Sequence, residues 1–433
     1  INKISMNNKV ELKIMNFVEV MDLSPSIPAY QRVYCWEEDN VIQLLDDLLD
    51  NSQEEYRLGS IILNNSNGKW DIVDGQQRLV TLTLLLRILG TPKRSLPLLK
   101  ENFVNTDAKN YIKYNYMVIN NYLQNQNRKL QYQDIMEKVT FSVLLINSEN
   151  LDLAFTFFSN TNSRGVGLSD YDLLKAHHLR YLPYEDQQRH LAKRWNEMVL
   201  SADKIEDIEE RNYVRALEVY IYCLRKWLRK DPVNEWQPYH VKNEYQSAAI
   251  IDEIPPFCEQ FQYKEPIQGG SHFFGYVEHF VTCYEHFRTT NVYEAIHSVG
   301  GESHWWFRDV IEANLFAYYL KFGEQYLPEA LIITTRLVSQ IRFDNKRVYR
   351  ETLLNSDIGN LEITQAIDQA TSPTFFLADV LNKIKRLPPV GELKGIRLRY
   401  RNQLRRKLNP VFNDFTSDYI RKFFTIEDVP VIF

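Results

Sequence analysis

Residues 70–90 read WDIVDGQQRLVTLTLLLRILG, and where this stretch breaks decides how the chain is built. Asp71-Ile72-Val73 is a short apolar strand and Asp74-Gly75 a break. Leu79 to Leu89 is an apolar run that closes on Gly90, with Pro92 just beyond. Gly after the last periodic residue and Pro soon after it are helix stop signals. The stretch predicts a strand, a tight turn and a helix, with Gly75-Gln76-Gln77-Arg78 at the helix start. A helix N-terminus presents N–H groups without helical partners and a partial positive charge, so it favours anions. Gly75 permits close backbone approach, Gln76 and Gln77 offer amide donors, and Arg78 can fork onto phosphate oxygens. The same residues also suit a buried strand-to-helix turn with Arg78 in a structural ion pair.

Upstream, SPSIPAYQRVYCW at 24–36 is extended or turn-rich, because Pro25 and Pro28 forbid a helix and bias their predecessors to extended geometry. Val41, Leu44, Leu45, Leu48 and Leu49 recur at helical spacing over 37–50, behind an acidic first turn. Leu58 to Leu63 reads as a strand, and Lys69 to Val73 returns as its hairpin partner. Residues 1–22 are weakly patterned. Downstream, 98–125 and 130–139 read as helices, Phe141 to Ile146 as a buried strand and 151–158 as a short helix. Ser159 to Gly167 is a loop by composition. Ser169-x-x-Asp172 is close to a capping box and opens a helix to about Tyr181. Beyond Pro183 the pattern is almost entirely helical, interrupted at 251–271 by Pro255, Pro256, Pro266 and Gly269-Gly270.

The 433 residues suit two or three domains, and 44% hydrophobic with 25% charged content is ordinary for a globular chain. Net charge is −5, so no global charge demands a nucleic acid or a membrane. Cys35, Cys223, Cys258 and Cys283 are scattered and fit no zinc module, which suits a reducing cytoplasm. No apolar run reaches the length of a membrane span and no signal peptide is evident, so a cytoplasmic location is expected. The first residue is Ile1, and a native chain longer than these residues is an open expectation.

Three blocks occur together and in order: IPAYQRVYCW at 27–36, LGSIIL with DIVDGQQRLVTLTLLL at 58–86, and FFSNTNSRGVGLSDYDLLKAH at 157–177. In these blocks the chain resembles the DGQQR-motif family, the N-terminal domain of GmrSD-type and SspE-type antiphage restriction proteins. The resemblance spans about 1–182. It implies an α+β domain of ParB/sulfiredoxin-like fold with a small mixed sheet, and the mainly α-helical region that the pattern predicts over 183–433, split near 251–271, is compatible with it. It further implies binding of a nucleoside triphosphate, with hydrolysis, in service of a nuclease aimed at DNA. Asp74, Gly75, Gln76, Gln77 and Arg78 match the signature, Gln31 and Arg32 the first block, and Asn162, Arg164 and Lys175 the third. Relatives of GmrSD type carry an HNH-like nuclease with a His closely followed by Pro. None of the nine histidines here has that context, so the nuclease is expected in a separate subunit or in a missing C-terminal domain. Sulfiredoxin chemistry needs a Cys in the turn, where this chain has glutamines.

Nucleotide hydrolysis needs phosphate anchors, a divalent metal and a group that positions water. Gly75 to Arg78 with Gln31, Arg32, Asn162, Arg164 and Lys175 are the candidate phosphate ligands. Asp74 is the candidate for Mg²⁺ or water, its alternative being a helix cap. Gln77 is the second catalytic candidate. Tyr30, Tyr34 and Trp36 suit core packing better than base stacking. His272, His279 and His286, spaced by seven with Cys283 beside them, suit a helix face better than a metal site. Residues 382–407 carry ten Lys and Arg against Glu392, and Arg397, Arg399, Arg401, Arg405 and Arg406 are the candidate DNA contacts. The competing readings are a non-hydrolysing, nucleotide-gated DNA-binding or adaptor protein, and a metal-dependent nuclease using Asp74.

Overall fold

The computed structural model describes residues 9–51, 55–66, 68–90, 96–100, 106–125, 129–148, 153–154, 157, 169–202, 207, 210–237, 239–246, 261–299, 304–388 and 390–414. Contacts divide the chain into residues 1–197 and 198–433.

The first unit is organised on four strands, β1 (Lys9–Asn16), β2 (Tyr56–Ser66), β3 (Lys69–Asp74) and β4 (Val139–Asn147), in the order β1-β4-β2-β3. The β2–β3 hairpin and the β1–β4 pair are antiparallel, while β2 and β4 run parallel, so the sheet is mixed. Period-2 alternation distributes β2 and β3 between two faces. Ile61, Leu63 and Ile72 join Phe141, Val143 and Leu145 in the main core, whereas Ile62, Val73 and Ile146 form a smaller cluster on the other face. Apolar residues on both faces explain why the central strand reads as a continuous apolar run.

The main core is covered by α1 (Phe17–Asp22), α2 (Glu38–Asp50), α3 (Gln76–Leu89), α4 (Thr106–Asn125) and α5 (Tyr132–Lys138). Val41, Leu44, Leu45, Leu48 and Leu49 are all buried, as the spacing on α2 predicts. In α3 every residue from Leu79 to Leu86 is buried, so this helix is apolar all round rather than amphipathic. It ends at Gly90, which adopts the left-handed conformation with φ of 83°. Two further helices follow, α6 (Asp170–Leu179) and α7 (Glu185–Ala202). Ser169 and Asp172 complete the reciprocal capping box at the start of α6. The 151–158 helix and the 159–167 loop fall mostly outside the described residues.

Residues 9–22 correct the weakly patterned reading of the N-terminus, for they form β1 and α1. The signal was the alternation of Val10, Leu12 and Ile14 with Lys9, Glu11 and Lys13. It leaves Leu12 and Ile14 exposed on an edge strand, so the apolar face marks no buried side.

The described residues of the second unit are helical. Asn212–Val214, a π-helical stretch Arg215–Ile221 and Tyr222–Arg229 run on as one helix, α8. Then come α9 (His240–Tyr245), α10 (Ser271–Phe287), α11 (Asn291–His297), α12 (Trp305–Phe322), α13 (Leu327–Asp344), α14 (Arg350–Leu354), α15 (Ile363–Gln369), α16 (Pro373–Lys385) and α17 (Ile396–Leu408). The adjacent pair α12 and α13 buries every side chain from Asp309 to Tyr318 and from Glu329 to Gln340. Arg215 opens the π-helical stretch fully buried. It donates to Asp309 at 2.9 Å and to Glu312, which also accepts from Tyr220 at 2.6 Å and contacts His297 Nδ1 at 3.0 Å. A second network joins Arg225 and Arg229 to Glu244.

Candidate functional site: the turn at Asp74–Arg78

The turn forms because Gly75 takes φ of 96°, a conformation side chains disfavour. A Cβ there would lie 2.8 Å from Ile61 Cγ1, so both backbone geometry and space demand glycine. Asp74 closes β3 and accepts the Gly75 N–H at 2.7 Å. The first helical hydrogen bond of α3 runs from Leu79 N to Gly75 O, so the N–H groups of Gln76, Gln77 and Arg78 precede the helical ladder.

Four of the expected ligand residues, Arg78, Gln77, Gln31 and Lys175, hold main chain. Arg78 donates from Nη1 to Leu58 O at 2.9 Å and from Nη2 to Ser60 O at 2.7 Å, with Asp74 Oδ2 at 3.5 Å. These carbonyls bracket Gly59, where β2 shifts register against β4. Gly59 has φ of 99°, and a Cβ on it would lie 2.5 Å from Arg78 Nη1. Gln77 is buried, with Nε2 donating to Val33 O at 3.1 Å and Oε1 accepting from Cys35 N at 3.0 Å. Gln31 donates from Nε2 to the carbonyls of Ile72 and Val73 at 2.7 and 2.6 Å. The 26–36 segment is thereby fastened along β3, where Ser26 already pairs with Asp71, and across the start of α3. Tyr34 is fully buried, meets Thr81 Oγ1 at 2.8 Å and accepts from Asn115 at 3.1 Å; it is a core residue, as sequence favoured. Trp36 packs against the same core.

Lys175 is fully enclosed and donates to Gln31 O at 3.2 Å and to Asn196 Oδ1 at 3.1 Å. Burial lowers its ammonium from 10.5 to about 8, with Asp172 opposing. It braces the back of the 31–33 segment from α6.

The remaining groups are differently placed. Gln76 is 4% exposed and its Oε1 has no hydrogen-bond partner among the described residues. Arg32 is half-buried and acts on Asp74 through its charge. Burial raises the Asp74 carboxyl, opposed by Arg78, the Gly75 hydrogen bond and Arg32. The turn therefore brings Asp74, Gln76, Arg32 and three helix N–H groups together on a frame made by Gln31, Gln77 and Arg78. The frame residues Gly59, Ser26 and Asn115 escaped sequence reading; the Gly in LGS before the strand was the available signal for the first.

Asn162 and Arg164 lie outside the described residues. Among the described residues no group of three or more His, Cys, Asp or Glu is arranged to hold a metal ion. Of the histidines spaced by seven, His279 contacts Cys283 at 3.6 Å and His272 accepts from Gln268 N. On α17, Arg399 and Arg406 are exposed, Arg401 and Arg405 half-buried, and Arg397 donates to Phe343 O at 3.0 Å. No described helix is long and apolar enough to cross a membrane.

Residues 15–179 match the family model for the GmrSD restriction endonuclease, N-terminal domain. Residues 233–391 match a family of unknown function (DUF7834). No curated protein matches the chain.

Proposed function

We propose, from the match of residues 15–179 to the GmrSD restriction endonuclease N-terminal domain, that the chain is a nucleoside triphosphate-binding and hydrolysing component of a DNA restriction and antiphage defence system. One observation carries the nucleotide reading. The start of α3 offers three N–H groups near Arg32, with the buried Gln76 carbonyl oxygen unpartnered among the described residues, on a turn held by Gln31, Gln77 and Arg78. Anions suit such a helix start by hydrogen bonding and dipole together.

In this reading the N–H groups of Gln76 to Arg78 and the Arg32 guanidinium take phosphate oxygens, and the Gln76 amide takes a polar group of the ligand. Gln77, Gln31 and Arg78 keep the turn in place, and Lys175 does so through Gln31. Asn162 and Arg164 remain proposed contributors from the third block. Magnesium is commonly held by one or two carboxylates together with substrate phosphates, and Asp74 is the carboxylate present here. The ion would supply neutralisation of phosphate charge. Arg397, Arg399, Arg401, Arg405 and Arg406 are the proposed DNA contacts, and a separate nuclease subunit or further domain is the proposed partner.

One observation favours the non-hydrolysing alternative. Both ends of the Gln77 amide are engaged with main chain, which leaves it unable to orient water without breaking a clamp. Equilibrium binding of fluorescent ATP and GTP with Mg²⁺, followed by phosphate release, separates the readings. Binding with release supports the hydrolase and binding without release the gate. Failure to bind either nucleotide contradicts both.

A further inference from the structure

The C-terminal half of the second unit gathers arginines without gathering acids. Arg342 on α13 is 2% exposed and Arg336 one turn and a half earlier is 4% exposed. Arg397, Arg399 and Arg401 come from α17, which packs beside them through Tyr400. The Tyr400 hydroxyl meets Ser339 Oγ at 3.0 Å, and its ring lies 6.2 Å from that of Phe343. Arg342 sits 5.0 Å over the Phe307 ring, Arg336 5.7 Å over that of Phe343, and His304 4.6 Å from Tyr400. None of these five arginines has an ion-pair partner among the described residues. Asp344 is the acid whose charge reaches Arg336.

The contrast with the rest of the unit is sharp. Arg215, equally buried, has Asp309 and Glu312 in contact. Arg225 has Glu244. A buried guanidinium without a counter-charge is costly and calls for one. The available bonds are also incomplete. Arg342 reaches Lys346 O and Arg397 reaches Phe343 O, yet the buried Nε atoms of Arg342, Arg397 and Arg401 have no acceptor among the described residues.

We propose that Arg342, Arg397 and Arg401 form a phosphate-binding site between α13 and α17, taking a phosphodiester of a nucleic-acid backbone. Arg397 and Arg401, one turn apart on the same face of α17, are half-buried and give the site its opening to solvent. Guanidiniums fork onto phosphate oxygens and remain charged at all relevant pH. Burial, Arg342 and Arg399 together hold His304 down to about 4, so this ring is neutral at pH 7 and adds no charge. The inference deepens the DNA reading above and adds to α17 the buried Arg342 of another helix. It uses no residue of the 74–78 turn.

The test is binding of a labelled 16-nucleotide DNA, single- and double-stranded, to the full chain across a salt series, beside thermal melts in inorganic phosphate. Arg342→Gln is expected to weaken oligonucleotide binding roughly tenfold and to flatten the salt dependence by about one counterion. Arg401→Gln, nearer the surface, gives the same direction if Arg342→Gln does not fold. Phosphate is expected to raise the parent's melting temperature and not that of the variant. Phosphate stabilisation lost in the variants, with oligonucleotide affinity unchanged, overturns the phosphodiester and reassigns the site to a small phosphate ligand. Unchanged oligonucleotide affinity and unchanged phosphate response in both variants overturn the site itself. Neither outcome bears on nucleotide binding at Gln76, which is read separately.

Discussion

The two units bury their polar side chains in different ways. In the sheet unit, Gln31, Gln77 and Arg78 are fastened to backbone carbonyls and amides of neighbouring segments. In the helical unit, Arg215 and Arg225 are fastened to carboxylates on other helices. The first arrangement positions main chain, since each bond fixes where a loop or strand end lies. The second cross-links helices whose own backbone bonds are already complete. The lesson is that the polar motif at this strand-to-helix turn is in large part scaffold, and the members proposed to face a ligand are those without hydrogen-bond partners among the described residues.

This contrast makes its largest prediction at Arg215. Arg215→Met leaves Glu312 and Asp309 buried beside one another, at a cost of roughly 3–5 kcal/mol, because an uncompensated buried charge remains. Chemical denaturation reads it, and adding Glu312→Gln is expected to recover part of the loss. An Arg215→Met protein as stable as the parent would break the comparison on the helical side.

Lys175 is the sheet unit's counter-example, a buried cation held by a carbonyl and an amide. Its folded-state value of about 8 lies below the ordinary 10.5, so folding disfavours the proton. Below pH 8 the ammonium is charged in both states and the full penalty applies. Between about 8 and 10.5 the folded protein has released the proton that the unfolded chain still holds, so stability rises with pH. Relative to Lys175→Met, the parent is expected to gain about 3 kcal/mol at most across that window. A difference between the two that does not change with pH would contradict it.

Arg78→Ala removes a charged donor from two carbonyls, and a loss of about 2–3 kcal/mol is expected. Arg78→Lys recovers little, because one ammonium cannot reproduce a fork onto two carbonyls on either side of a bulge. Full recovery by lysine would sharpen the comparison against Arg78, making its charge rather than its shape the requirement.

Much of the fold was legible in residues 37–90 and at 169–172. The α2 spacing, the β2–β3 hairpin, the Gly90 stop and the Ser169–Asp172 cap are local devices, each written within a few residues of the structure it makes. β1 was not, because its apolar alternation lies on an exposed edge rather than over the core. Sequence grouped Gln31-Arg32, the 74–78 turn and Lys175, segments that the fold holds together. It did not distinguish frame residues from those proposed to face a ligand. That distinction depends on which carbonyl each amide reaches, as when Gln77 reaches Val33 across 44 positions. Residue type at adjacent positions is blind to it, since Gln76 and Gln77 are the same residue in opposite situations. The arginine cluster was half legible: the charges on α17 stand out, but Arg342 is an ordinary helix residue until the fold places it beside them.

The central claim is that Gln76 and Arg32 face the ligand while Gln77 and Arg78 hold the turn. Titration of fluorescent nucleotide into Gln76→Ala and Arg32→Ala, each checked by its melting temperature, tests it directly. Both variants are expected to melt within a few degrees of the parent, since each removes a side chain with little holding it, and to lose nucleotide affinity by at least roughly tenfold. Variants that melt as the parent does and bind nucleotide as tightly would contradict the claim.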